Sequence, residues 1–340
     1  MSGRTAILRI VFLLVCVLSV PLQTTRLRGE DSTRPELLLV MGAPGLREYE
    51  PVFREWADRW ITAAKLADAD LVTVGLPSST EPSTDTTFDG ENSETERDRL
   101  LHALAAASIS KSREPLWLIF IGHATWDQKT ARLNLNGPDV SADEMAAALA
   151  GCSRPVIAAF CSSSSSPFLN ALSARGRVII TATRDGTQSQ YSRFGDAFSA
   201  AITSTEADRD QDGQTSVLEA WRYASRRTAE FYEEDGRLAT EHSLLDDTGD
   251  QRGIRAEALD STDSQQDSEI DGALAATICF VRSAAERRMS AEQRLVRDAL
   301  EARLRDLRRR RSEMDETDYL QRLEDLLVPL SRLYETAAAP

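Results

Sequence analysis

Two short apolar runs, Leu116 to Ile121 and Pro155 to Phe160, constrain this chain more than anything else in it. Each is rich in β-branched and aromatic residues and bounded by small or polar ones, the pattern of a strand buried on both faces of a parallel sheet. Between them, residues 141–150 read as a helix, with Ser141 as its cap and Glu144 three residues on. Parallel neighbours need such a crossover. The first run leads into Gly122-His123-Ala124, and the second into Cys161 and five serines, Ser162 to Ser166. Ligands of parallel sheets gather at the carboxyl ends of the strands. A thiol and an imidazole there form a candidate nucleophile–base pair, Cys161 with His123. The serines read either as a flexible low-complexity loop or as a turn of small residues whose free N–H groups can hold developing negative charge.

The surrounding chain extends the alternation. Glu36 to Met41 is a predicted strand, Tyr49 to Ala67 a helix with apolar residues at helical spacing, and Leu71 to Gly75 a second strand. Residues 76–95 are a polar loop and Glu96 to Ser108 a helix. Thr130 to Gly137 alternates and ends in Asn-Gly, as a hairpin does. Arg177 to Thr183 is a further strand, followed by a polar loop over 184–191 and a helix from Phe194. The fold class is therefore α/β with a mostly parallel sheet.

This pattern resembles the caspase–legumain clan of cysteine peptidases. Those proteins carry an apolar strand ending in His-Gly and another ending in Ala-Cys before small residues. The counterparts here are Gly122-His123-Ala124 and Phe160-Cys161-Ser162-Ser163, and the resemblance runs over roughly residues 36–224. It also extends to exported bacterial caspase-like proteins with an acidic calcium-loop-like segment and a long C-terminal helical region. The resemblance implies a caspase-like three-layer sandwich. It implies a peptide or protein substrate and an endopeptidase using a His123–Cys161 dyad. Backbone N–H groups at Ala124 and Ser162 would form the oxyanion site. Two departures stand out: Ala124 replaces the usual Gly, and Phe160 the usual Ala. Matching Phe168 to the Phe that follows the family's small-residue run puts the nucleophile at Ser162 instead. A catalytically inactive, calcium-stabilised binding or scaffold protein on the same fold is the alternative. A plain α/β hydrolase is disfavoured, since no G-x-S-x-G occurs.

The strongest spacing match lies at residues 208–219. Asp208, Asp210 and Asp212 fall at positions one, three and five of a twelve-residue calcium loop, Gly213 at six and Glu219 at twelve. Gln214 would add its backbone carbonyl and Ser216 would stand at position nine. Thr215 departs from the apolar residue usual at position eight. One copy is evident, which points to a single structural calcium ion rather than a paired sensor.

The ends of the chain differ from its body. Residues 1–29 hold four arginines and no acids, with an apolar run from Ile10 to Leu22. This reads as an export signal, the run being short of the ~20 residues of a comfortable span; an uncleaved anchor is the alternative. The chain carries a formal charge of −14, more acidic still without that segment, which argues against nucleic acid as a partner. Removing it leaves Cys152, Cys161 and Cys279, an odd number that implies a free thiol. Residues 30–235 are expected to form the α/β domain and 236–272 an acidic linker. Residues 273–340 should form a helical region whose last two helices pair as a hairpin, a surface for self-association or protein contact.

Overall fold

The computed structural model describes residues 34–76, 94–261 and 271–338. The export-signal reading over 1–29 and most of the 76–95 loop lie outside them. In chain order the strands and helices are β1 (Glu36–Met41), α1 (Glu50–Leu66), β2 (Asp70–Val74), α2 (Glu96–Ser108), β3 (Leu116–Gly122), β4 (Ala124–Trp126), β5 (Ala131–Leu133), β6 (Val140–Ser141), α3 (Ala142–Ala148), β7 (Val156–Ser162), α4 (Ser166–Leu172) and β8 (Arg177–Thr181). They continue with α5 (Phe194–Ala201), α6 (Val217–Glu234), β9 (Leu244–Asp246), α7 (Ala256–Ser261), α8 (Ala284–Arg288), α9 (Ala291–Arg309) and α10 (Glu316–Ala338).

Six strands form one sheet in the order β2-β1-β3-β7-β8-β9. The first five run parallel and β9 closes the edge antiparallel to β8. Every residue of β1, β3 and β7 is buried, which is why these strands read as continuous apolar runs. Successive side chains point to opposite faces. Trp117, Ile119, Ile121, Ile157, Ala159 and Cys161 meet α1, α5 and α6 on one face. Leu118, Phe120, Ala158 and Phe160 meet α2, α3 and α4 on the other. The result is the expected three-layer α/β sandwich. The hairpin expected at 130–137 is part of a small antiparallel sheet, β4-β5-β6, rising directly after His123. The helix expected at 141–150 starts where its cap predicts: Ser141 and Glu144 form a complete capping box.

The predicted acidic linker is corrected by the structure. Within residues 236–272 lies β9, paired to β8 through Leu245 opposite Ile180. Asp246 and Asp247 are buried. Their acidity is spent on backbone rather than on water: Asp246 accepts from Gly249 N at 2.9 Å, and Asp247 from Gly272 N and Ala275 N at 2.8 Å each. Residue 235 therefore ends a helix, not the α/β body. The expected C-terminal helical hairpin is present. α9 and α10 pack through Leu300, Leu304, Leu307 and Leu326. It is tied to α8 through buried charge, Arg297 donating to Glu286 at 2.5 Å, and to the segment before β3 through Arg294 and Glu114 at 3.3 Å. No described helix is long and apolar enough to cross a membrane.

Candidate functional site

β3 and β7 pair with Phe120 opposite Phe160, Ile121 opposite Cys161 and Gly122 opposite Ser162. One residue further on, His123 faces Ser163. Its Nδ1 lies 3.3 Å from Ser163 Oγ. The same hydroxyl donates to the Ala124 carbonyl at 3.3 Å and lies 3.4 Å from the Ala124 N–H. Ser163 is almost wholly buried, at 2 % exposure.

Cys161, expected as the nucleophile, is not at the site. It is two residues deeper along β7, about 6.6 Å at the rise of a strand. It is 1 % exposed and belongs to the apolar layer under α1 and α5. Gly195 of α5 lies so close that a Cβ there would stand 2.7 Å from the Cys161 Cβ. Burial, with a smaller contribution from the Glu241 carboxylate, holds the thiol far above its ordinary range. Ser162, the alternative nucleophile, is fully buried too, and its hydroxyl has no partner among the described residues. Neither residue reaches His123; the position opposite the imidazole belongs to Ser163, which the sequence reading left out. Aligning the runs on their aromatics would have found it. Phe120 and Phe160 stack at 4.5 Å, and counting three residues on from each gives His123 and Ser163. Cys152, Cys161 and Cys279 are all free thiols.

The imidazole is held from behind. Its ring packs edge-on against Tyr49 and Phe53 of the α1 region. Burial depresses its pKa, and a hydrogen bond to the Pro44 backbone partly opposes that. Nε2 lies beside Gly45, whose φ is +70°; a Cβ there would meet the ring at 2.8 Å. A glycine is needed both for that backbone conformation and for the space. The orienting group is thus a carbonyl, not a carboxylate.

The serine run is an ordered turn. Ser164 takes a left-handed φ of +48° and donates its N–H to the Gln188 carbonyl at 2.9 Å. Ser165 N donates to Thr183 Oγ1 at 2.8 Å. The cleft above His123 and Ser163 encloses about 460 Å³, walled by Thr125 and Trp126 on β4 and by Gly186 and Thr187 of the polar loop after β8. That loop was expected to shape a pocket without any assignable residue; Gly186 is the close contact, packed against the Trp126 ring.

The aspartate loop lies elsewhere, between α5 and α6. Carboxylate oxygens of Asp208, Asp210 and Asp212 come within 4.8 Å of one another. Gly213 N donates to Asp208 Oδ2 at 3.0 Å, closing the turn. Glu219 Oε1 accepts from Arg209 N at 2.9 Å, and Oε2 from Ser216 N at 2.9 Å. Ser216 caps α6, and its hydroxyl is engaged with Glu219. Gln214 turns its side chain to Ser283 N, at 3.1 Å. Burial first, then the neighbouring Asp210 charge, pushes Asp212 up to about 6.

No protein-family model matches the chain, and no curated protein matches it. Among solved structures it is similar to the Drosophila initiator caspase Dronc, with 12 % identity over 67 % of this chain and 85 % of that one, at a TM-score of 0.41. It is also similar to a protein from Geobacter sulfurreducens, with 12 % identity over 63 % and 92 %, TM-score 0.38. Caspase-1 from Spodoptera frugiperda matches with 11 % identity over 67 % and 91 %, TM-score 0.38.

Proposed function

We propose that this protein is a non-catalytic binding module that holds an extended peptide or protein segment in the cleft above His123 and Ser163. The observation that carries this reading is the identity of the residue opposite the imidazole: a serine hydroxyl, with the neighbouring Cys161 thiol sunk in the core. A hydroxyl is a weak nucleophile unless a base takes its proton. Here the Ala124 carbonyl competes with His123 for that proton at the same 3.3 Å. The cleft walls offer hydroxyls, backbone and the Trp126 ring, and His123 is the one ionisable group among them. Such a lining suits an uncharged peptide backbone.

The Ser163–His123 contact favours a second reading, acyl transfer with serine as nucleophile. The Ser163 proton would pass to Nδ1 as Oγ bonds the substrate carbonyl carbon, and return to the leaving group as the carbonyl re-forms. One experiment separates the two. The full chain is incubated with a random peptide library, and both cleavage products and captured peptides are read by mass spectrometry. Capture without cleavage, weakened about tenfold or more by Trp126→Ala, is the expected result. Cleavage that disappears in Ser163→Ala would overturn the binding module and leave the serine-type reaction.

We further propose that calcium occupies the aspartate loop as a structural ion. Asp208 Oδ1 is a buried oxygen with no partner among the described residues, and a hard cation takes oxygen ligands. Asp208, Asp210, Asp212, the Gln214 carbonyl and Glu219 would hold it, with Ser216 beside them. The ion would neutralise carboxylates that now repel one another. Two acids raised by desolvation, Asp212 at an exposed position and Asp271 half-buried, contribute to the pH response. Asp212 is raised to about 6, and Asp271 to about 7 by burial and the Asp246 and Asp247 charges. Acids raised on folding stabilise the fold while protonated, so stability falls as pH rises from about 4 to about 7. Melting temperatures across that range should decline in EGTA and decline less in calcium, which removes the share of Asp212. A melting temperature at pH 7.5 indifferent to calcium would dismiss the ion.

The resemblance to exported proteins supports export as the destination. The hairpin leaves Leu295 and Leu320 exposed and is proposed as a contact surface for another protein or copy.

A further inference from the structure

We propose that a second, smaller cavity behind the polar loop binds a free carboxylic acid of about three to five carbons. The cavity lies between α6, the start of α5 and the segment leading into β9, and encloses about 160 Å³. That is room for roughly five waters at ~30 Å³ each, or for one small organic acid.

Two polar groups that line it have free valences. Thr228 is nine-tenths buried and lines the cavity, and its hydroxyl has no partner among the described residues. A buried hydroxyl without a partner is costly, and a bound acceptor removes the cost. His242 lines the cavity too. Its Nδ1 lies 2.9 Å from Gln188 Nε2. The Gln188 amide is fixed in that orientation because its Oε1 accepts from Arg184 N at 2.9 Å. Nδ1 is therefore the acceptor, the ring is neutral, and the proton sits on Nε2 as a donor. Burial first, then the Arg184 and Arg255 charges, depresses the His242 pKa against the opposing Glu257 and Asp185 charges. Arg255 stands at the mouth, its Nε and Nη2 each 3.1 Å from Glu257.

The most deeply buried acceptor is already engaged. Glu241, 4 % exposed, takes Ser192 Oγ at 2.6 Å, Arg193 N at 2.9 Å, Phe194 N at 3.2 Å and the Tyr232 hydroxyl at 3.1 Å. Ser225 and Ser243 pair with each other at 2.6 Å. The His242 Nε2–H and the Thr228 hydroxyl can both donate to a carboxylate, and Arg255, held on one side by Glu257, adds a cation at the mouth. Gln188 links this cavity to the cleft, because its carbonyl holds Ser164 N.

The test is calorimetric titration of the full chain with propionate, n-propylamine and a tripeptide, with His242 followed by NMR. Saturable propionate binding that shifts the His242 ring resonances is expected. Thr228→Val, which keeps the shape and removes the hydroxyl, should weaken it about tenfold or more. If that variant fails to fold, Arg255→Gln at the exposed mouth takes its place, with a loss of the same order expected. Propylamine binding in preference to propionate, tripeptide binding as tight as propionate, or no heat from any of the three would overturn the proposal. The last outcome would leave a water-filled void.

Discussion

Iodoacetamide should leave Cys161 of the folded protein unmodified at pH 8, at a rate at least about a thousandfold below that of the urea-unfolded chain. The thiol is 1 % exposed beneath α5, with Gly195 and Trp56 against it. The reagent needs thiolate and access, and the fold denies both: burial raises the thiol pKa, and labelling must wait for an opening that costs several kcal/mol. His123→Ala should not change the rate, because the imidazole sits beside Ser163 instead. Ser163→Cys supplies the contrast, putting a sulfur where the imidazole can share its proton. Ser163 is also nearly buried but lines the cleft, so that variant should be labelled faster than Cys161 and lose the gain when His123 is also replaced. Mass-spectrometric mapping of the labelled peptides reads all three. Rapid, His123-dependent labelling of Cys161 in the unmutated protein would restore the thiol peptidase reading.

Arg154→Met should lower the unfolding free energy by about 3–5 kcal/mol. Arg154 stands at the opposite edge of the sheet from the cleft, just before β7. Its guanidinium reaches Glu36 at the start of β1 at 2.6 Å and the last turn of α2 through the Ala107 carbonyl at 3.2 Å. The two side chains are 3 % and 10 % exposed. Removing the cation leaves the Glu36 carboxylate nearly buried without its guanidinium, which costs far more than losing a surface pair. Replacing both groups, Glu36→Leu with Arg154→Met, should recover most of the loss, since no uncompensated charge remains. Urea unfolding of the single and double variants measures this. A loss below about 1 kcal/mol in the single variant would show that water reaches Glu36.

The sequence carried the sheet well because burial on both faces writes itself as unbroken apolar runs, as in Leu116 to Ile121. It carried the helix start equally well where a capping box marked it, as at Ser141. The site was legible to within two residues, and two residues decide the chemistry. His123 was read correctly as the end of β3. The partner strand ends at Ser162, two residues past its last large apolar side chain, Phe160, and the conspicuous Cys161 lies between them. Register between parallel strands is fixed by cross-strand packing, here Phe120 on Phe160, which no single run announces. Pro44 and Gln188 were invisible for a simpler reason: each acts through its backbone carbonyl, and a carbonyl has no residue signature. The acidic stretch holding β9 misled because charged residues that cap backbone amides have the same composition as those that face water.

β9 also imposes an order on synthesis. A nascent chain that has made β8 exposes a complete row of unpaired amide and carbonyl groups along the sheet's outer rim. That rim stays open while α5, the aspartate loop and α6 are being translated. Such a rim is a template for any passing strand. Chains that stop before residue 244 should therefore aggregate through it, whereas chains that include the docked strand present only the three-residue β9, bridged by Ile254, and stay more dispersed.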